Sequence, residues 1–68
     1  MMIAIELNGT EHQIADGQTV GNLVSSMQLN GKAVAVAVNR DVVPGSQWQH
    51  RHLHAGDRVD IVWPIGGG

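Results

Sequence analysis

One stretch of this chain carries the spacing of an amphipathic helix, and it lies between stretches that alternate like strands. Val20, Leu23, Val24 and Met27 recur at i, i+3, i+4 and i+7, which gathers them on one helical face. Thr19 stands before them as an N-cap, because its hydroxyl can accept a free N–H of the first turn. Asn22 occupies the position where a capping box would carry Glu or Gln, so the box reads as incomplete. Gly21 costs the helix about 1 kcal/mol against Ala. A helix this short, ending before Asn30-Gly31, depends on a surface to dock against. In a chain of 68 residues that surface must be a single sheet, since a domain of this size buries only roughly 60% of the area its unfolded chain exposes.

The flanking segments supply the sheet. Met1 to Leu7 places Ile3, Ile5 and Leu7 on one face, the period of a half-buried strand. Asn8-Gly9 follows as a hairpin signal, since both residues tolerate positive φ. A second strand is predicted through His12 to Ile14, closed by Asp16-Gly17. The run AVAVAV over Ala33 to Val38 puts Val34, Val36 and Val38 on one face. Asn39-Arg40-Asp41 turns the chain, and Val42-Val43 opens a brief edge segment that Pro44 ends. Ser46 to Gln49 predicts a single turn with Trp48 folded back on the core. After the Ala55-Gly56-Asp57 turn, Arg58 to Trp63 alternates, with Val59, Ile61 and Trp63 sharing a face. The order predicts an α+β fold: a small mixed sheet of four to five strands, covered on one face by one helix. Its last strand is expected in the middle, beside the first and parallel to it, with a right-handed crossover.

Composition narrows the function. The formal charge is −2 and the four basic residues, Lys32, Arg40, Arg51 and Arg58, are scattered. Nucleic-acid binding needs them clustered, so it is disfavoured. The longest apolar run, Ala33 to Val38, is far short of a membrane span. Without a basic leader at the start, a cytoplasmic protein is expected. The absence of cysteine removes disulfides, thiol catalysis and Cys-based metal sites. His50, His52 and His54 would share one face if extended, and three imidazoles can bind zinc. No acidic or Cys ligand lies within that run, and Leu53 between them is expected to point to the core. The expectation is therefore polar filler and no metal, with pH-sensitive partner binding as a secondary role for the histidines.

The chain ends VWPIGGG. Alone, three terminal glycines look like a frayed end. They follow "ELNGTEHQIADGQTVGNLV", "AVAVNRDVVPGSQW" and "AGDRVDIV" in order. That order and spacing, over nearly the whole chain, resemble the β-grasp (ubiquitin-like) sulfur carriers of the ThiS family. Gly21 and the histidine-rich "QHRHLHAG" depart from the pattern.

The resemblance implies a β-grasp domain over residues 1–65 and a flexible glycine tail over 66–68. It implies a protein that is not an enzyme and holds no permanent cofactor. ATP would be used by a partner, a ThiF-like adenylyltransferase, which joins AMP to the carboxylate of Gly68. Sulfur from a cysteine-derived donor would replace the AMP, and the thiocarboxylate would supply a ThiG-like thiazole synthase in thiamine biosynthesis. Gly66 and Gly67 would form the approach, thin enough for a partner's backbone to close around. Trp63, Val43 and Ile65 are the expected apolar docking residues, and Arg58 and Asp60 face away from the core where they could steer a partner. Other readings are a carrier for a different acceptor, such as a molybdopterin synthase small subunit, a ubiquitin-like protein modifier, or a histidine-based metal or interaction module.

Overall fold

The computed structural model describes residues 1–29 and 33–63. Strand β1 (Met2–Leu7) turns at Asn8 and Gly9, both at positive φ (49° and 83°), into β2 (Thr10–Ala15). This pair of left-handed residues matches the twist of a two-residue hairpin. The register pairs Ile3 with Ile14 and Ile5 with His12, so Ile14 joins the apolar face of β1. β2 is longer than the sequence predicts because the tight turn lets the ladder run the full length of β1.

Helix α1 (Val20–Ser26) begins at Thr19 and buries Val20, Leu23 and Val24. Its capping box is complete, which corrects the sequence reading. Asn22 N–H donates to Thr19 Oγ1 at 3.1 Å, and Thr19 N–H donates to Asn22 Oδ1 at 2.9 Å. Asn thus does the work of Glu at N3 despite its shorter side chain. The helix stops in a Schellman arrangement, with Gln28 at φ 60° as its left-handed residue. Leu29 N–H reaches Val24 O, and Gln28 N–H reaches Ser25 O, both at 3.0 Å. The helix thus ends before Asn30-Gly31, as the sequence predicts.

Strand β3 (Ala35–Val38) turns through Asn39 and Arg40 into β4 (Asp41–Val43). A 3-10 helix over Gly45–His50 follows, and β5 (Arg58–Val62) closes the sheet. The strand order is β2-β1-β5-β3-β4. β5 lies in the centre, parallel to β1 and antiparallel to β3, as predicted. It ends at Val62 rather than Trp63.

The core is wholly aliphatic. Ile5, Ile14, Val36, Val38, Val43, Val59 and Ile61 line the covered face of the sheet, and Val20, Leu23 and Val24 come down from α1. Leu53 enters from the loop after the 3-10 helix and is 1% exposed. Val20 N–H donates to Arg51 O, and Leu53 N–H donates to Gln18 O, both at 2.9 Å. These bonds stitch that loop to the start of α1. Trp48 is half-buried against the core, and its indole N–H donates to Val43 O at 2.8 Å, capping the carbonyl of an edge strand.

Gly21 has a packing reason that the sequence did not disclose. It is buried on α1, and a Cβ there would lie 2.8 Å from Gln49 Cδ. Gly21→Ala alone is therefore expected to yield less than the roughly 0.5–1 kcal/mol that helix propensity offers. With Gln49→Ala also present, the full gain should emerge. Urea denaturation of the four proteins of this cycle checks it; additive effects would show that the two residues do not meet.

Candidate functional site

β5 leads directly to the C-terminal residues, so what surrounds it sets the site. Its side chains alternate between two environments. Val59 and Ile61 face the helix and are buried. Arg58, Asp60 and Val62 face the open side of the sheet, in the company of Ala35 and Ala37 of β3, paired opposite Val62 and Asp60. Val42 of β4 stands opposite Ala37 on that side. The two alanines keep this part of the sheet low, so Val42 (70% exposed) and Val62 (64%) project from it, and Trp63 beyond them is 48% exposed. Val42 and Val62 are thus exposed apolar side chains on the open side of the sheet, and exposed Trp63 follows Val62 in the chain.

The sequence-predicted docking residues divide. Trp63 is at the surface next to Val62. Val43 is not: pairing with Val36 turns it to the covered face, where it is 6% exposed and part of the core. Its neighbour Val42 presents the apolar surface instead, and sequence reasoning missed it because two adjacent valines leave the phase of the alternation open. Ile65, Gly66, Gly67 and Gly68 lie outside the described residues, as does the boundary expected at residue 65.

Charge lies on the open side of β5 toward β1. Arg58 Nε lies 3.3 Å from Asp60 Oδ2 and 3.8 Å from Glu6 Oε2. Arg58 and Asp60 do face away from the core, as predicted. In a solvated setting such pairs add little stability and act mainly on encounter with a partner.

Two asparagines complete the frame of β5. Asn8 Oδ1 accepts the N–H of Ile61 at 2.8 Å, and Asn39 Oδ1 accepts the N–H of Arg58 at 3.0 Å. Asn39 Nδ2 also donates to Asp57 Oδ1 at 3.0 Å. Asp57 in turn accepts the backbone N–H of His54 at Oδ2, 2.8 Å away. This network ties the β3–β4 turn to the turn that launches β5.

The histidines do not assemble. His50 ends the 3-10 helix, His52 bridges Thr19, and His54 Nδ1 lies 3.8 Å from Asp57 Oδ2. The extended face that would align them is broken because the 3-10 helix takes up His50. Among the described residues no three His, Asp or Glu side chains converge as a metal site would require. No helix among them is long and apolar enough to cross a membrane.

The chain is 33% identical over 64 residues to the sulfur carrier protein ThiS of Escherichia coli strain K12, covering 94% of this chain and 97% of that one. It is 34% identical over 62 residues to a thiazole synthase of Paramagnetospirillum magneticum, of which it spans only 19%. The crystal structure of thiamine biosynthesis protein ThiS from Geobacter metallireducens superposes with a TM-score of 0.81 at 24% identity, covering 97% of this chain and all of that one. That likeness shows the fold, a β-grasp. With the ThiS family model matching residues 3–68, the chain belongs to the ThiS family.

Proposed function

We propose that this chain carries sulfur for the making of the thiamine thiazole, with the α-carboxylate of Gly68 as the group that is charged. The observation that carries the reading is the match to a sulfur carrier protein over 94% of this chain and 97% of that relative. The thiazole synthase relative, in which a segment like this one forms 19% of a longer chain, supports a thiazole synthase as the acceptor.

The chemistry explains why such a protein has no need of a catalytic pocket. A carboxylate is a poor electrophile, because it is anionic and its leaving group would be oxide. In the proposed sequence a Gly68 carboxylate oxygen attacks the α-phosphorus of ATP in a partner adenylyltransferase, and pyrophosphate leaves. Sulfide released from a cysteine-derived donor then attacks the activated carbonyl, and AMP departs with the oxygen that sulfur replaces. The thiocarboxylate is handed to the acceptor. Both enzymes must hold the carrier while its end lies in their active sites. Val42, Val62 and Trp63 are the proposed contact, with Ile65 between them and the tail; the chain itself supplies binding and the reacting group.

Two measurements test the reading. Incubation with ATP, the adenylyltransferase of the same organism and a sulfur donor is expected to raise the intact mass by about 16 Da, the difference between oxygen and sulfur. Deleting Gly67-Gly68 should abolish the gain. If the mass stays constant, or the gain survives the deletion, the carrier reading fails.

The proposed contact surface predicts opposite outcomes at adjacent valines. Val42→Thr and Trp63→Ala should each leave stability within about 0.5 kcal/mol, as exposed positions do. Together they should raise the KM for adenylation about tenfold, on the scale of interface anchors. Val43→Ala, in the core, should instead lower stability by about 1–3 kcal/mol. Steady-state kinetics alongside thermal melts separate the two effects.

A further inference from the structure

We propose that Asn8 is a positioning residue for the end of β5: its carboxamide fixes the register of the strand immediately before the contact residues Val62 and Trp63. The role rests on the carrier reading above.

The argument starts from the β1–β5 ladder. Glu6 N–H donates to Asp57 O, and Asn8 N–H donates to Val59 O, both at 2.9 Å. The next rung would need a β1 carbonyl to receive the N–H of Ile61. β1 has ended by then: Asn8 stands at φ 49° and turns the backbone into the hairpin. The side chain of Asn8 supplies the missing acceptor, Oδ1 to Ile61 N at 2.8 Å, between residues 53 apart in sequence. A side chain thus extends a parallel ladder one rung beyond the end of its strand.

Asn39 makes the same substitution at the other end of β5. It too has positive φ, 52°. Its N–H donates to Arg58 O at 2.7 Å, and its Oδ1 rather than its carbonyl receives Arg58 N–H. The two rungs differ in what lies beyond them. The Asn39 rung is exposed and holds the first residue of β5. The Asn8 rung is partly buried and holds Ile61, next to Val62 and Trp63. Without it a partly buried N–H loses its acceptor, and the end of β5 that bears the contact residues is held by its β3 ladder alone. The partner would then have to order those residues on binding.

Glycine separates conformation from hydrogen bonding at both sites, because it adopts positive φ without strain and carries no acceptor. Asn8→Gly is expected to raise the KM of the chain in the adenylation reaction about three- to tenfold, the equilibrium factor of one hydrogen bond, with little change in kcat. Hydrogen exchange should show the Ile61 amide losing protection in the same variant. Asn8→Asp, which keeps an acceptor, should restore both. Asn39→Gly should lower the melting temperature yet leave the KM unchanged, since its rung lies at the start of β5, away from Val62 and Trp63. A wild-type KM in Asn8→Gly would overturn the proposal, as would an equal rise in Asn39→Gly, which would trace the effect to stability alone. Failure of the unaltered chain to be adenylated would overturn the carrier reading and the role with it. Ile61 protection unchanged by Asn8→Gly would overturn the ladder argument by itself.

Discussion

The parallel pairing of the last strand with the first is the contact on which the remainder of this fold depends. Only two residue pairs carry its register, Glu6 with Arg58 and Leu7 with Val59, and they join segments about fifty residues apart. Closing so long a loop costs conformational entropy before any contact offsets it. The offset comes from burial: Ile5, Val59 and Ile61 meet in the centre of the sheet, and each is almost fully removed from water. Both hairpins can form locally, but neither has a complete apolar face until β5 lies between them. The fold is thereby committed to non-local contacts, the kind that make folding slow relative to helical proteins of equal size.

α1 depends on that sheet more than on itself. Seven residues are too few for a stable isolated helix in water, and the sequence includes a glycine in the first turn. Its order comes from the two ends and the buried face. Thr19 and Asn22 satisfy donors at the start, Gln28 and Leu29 close the end, and Val20, Leu23 and Val24 meet the sheet. The loop through Leu53 adds the piece a small chain lacks. With no Phe or Tyr in the sequence, Leu53, delivered from outside the regular elements, is among the largest fully buried side chains of the core. The bonds joining residues 51 and 53 to residues 20 and 18 hold it there.

The parts of this architecture that were legible in the sequence are those set by local chemistry. Alternating Ile3, Ile5 and Leu7, the Asn8-Gly9 turn, the valines of β3 and the brief strand before Pro44 all appear where their periodicity and turn residues put them. The central place of β5 was legible as well, since one helix must cover one sheet. The parts set by neighbours were not legible. Nothing in Gly21 announces that Gln49 lies over it, and the Val42-Val43 pair acquires inner and outer members only through the register with Val36. Asn22 looked like a weak N3 residue because propensity rules rank Glu and Gln above it; the geometry at Thr19 brings its oxygen within reach. The glycine tail is an expectation from family likeness, and residues 64–68 lie outside the described structure.

A domain this thin cannot assign stability and recognition to separate elements, so in the proposed function β5 serves both. Its inward residues Val59 and Ile61 close the core while Val62 stays exposed on the open side. The strand can do this only if its register is fixed at the ends, where ladders run out and backbone groups are left without partners. Here the residues that end the neighbouring strands resolve the difficulty. A left-handed turn position favours Gly or Asn on conformational grounds. Asn adds an oxygen that returns to the ladder the chain has just left. Turn chemistry by itself would treat the two residues as equivalent at Asn8 and Asn39; the hydrogen-bond requirement of β5 separates them. The choice of Asn at these corners is therefore a tertiary constraint expressed through a residue that local rules read as a simple turn former.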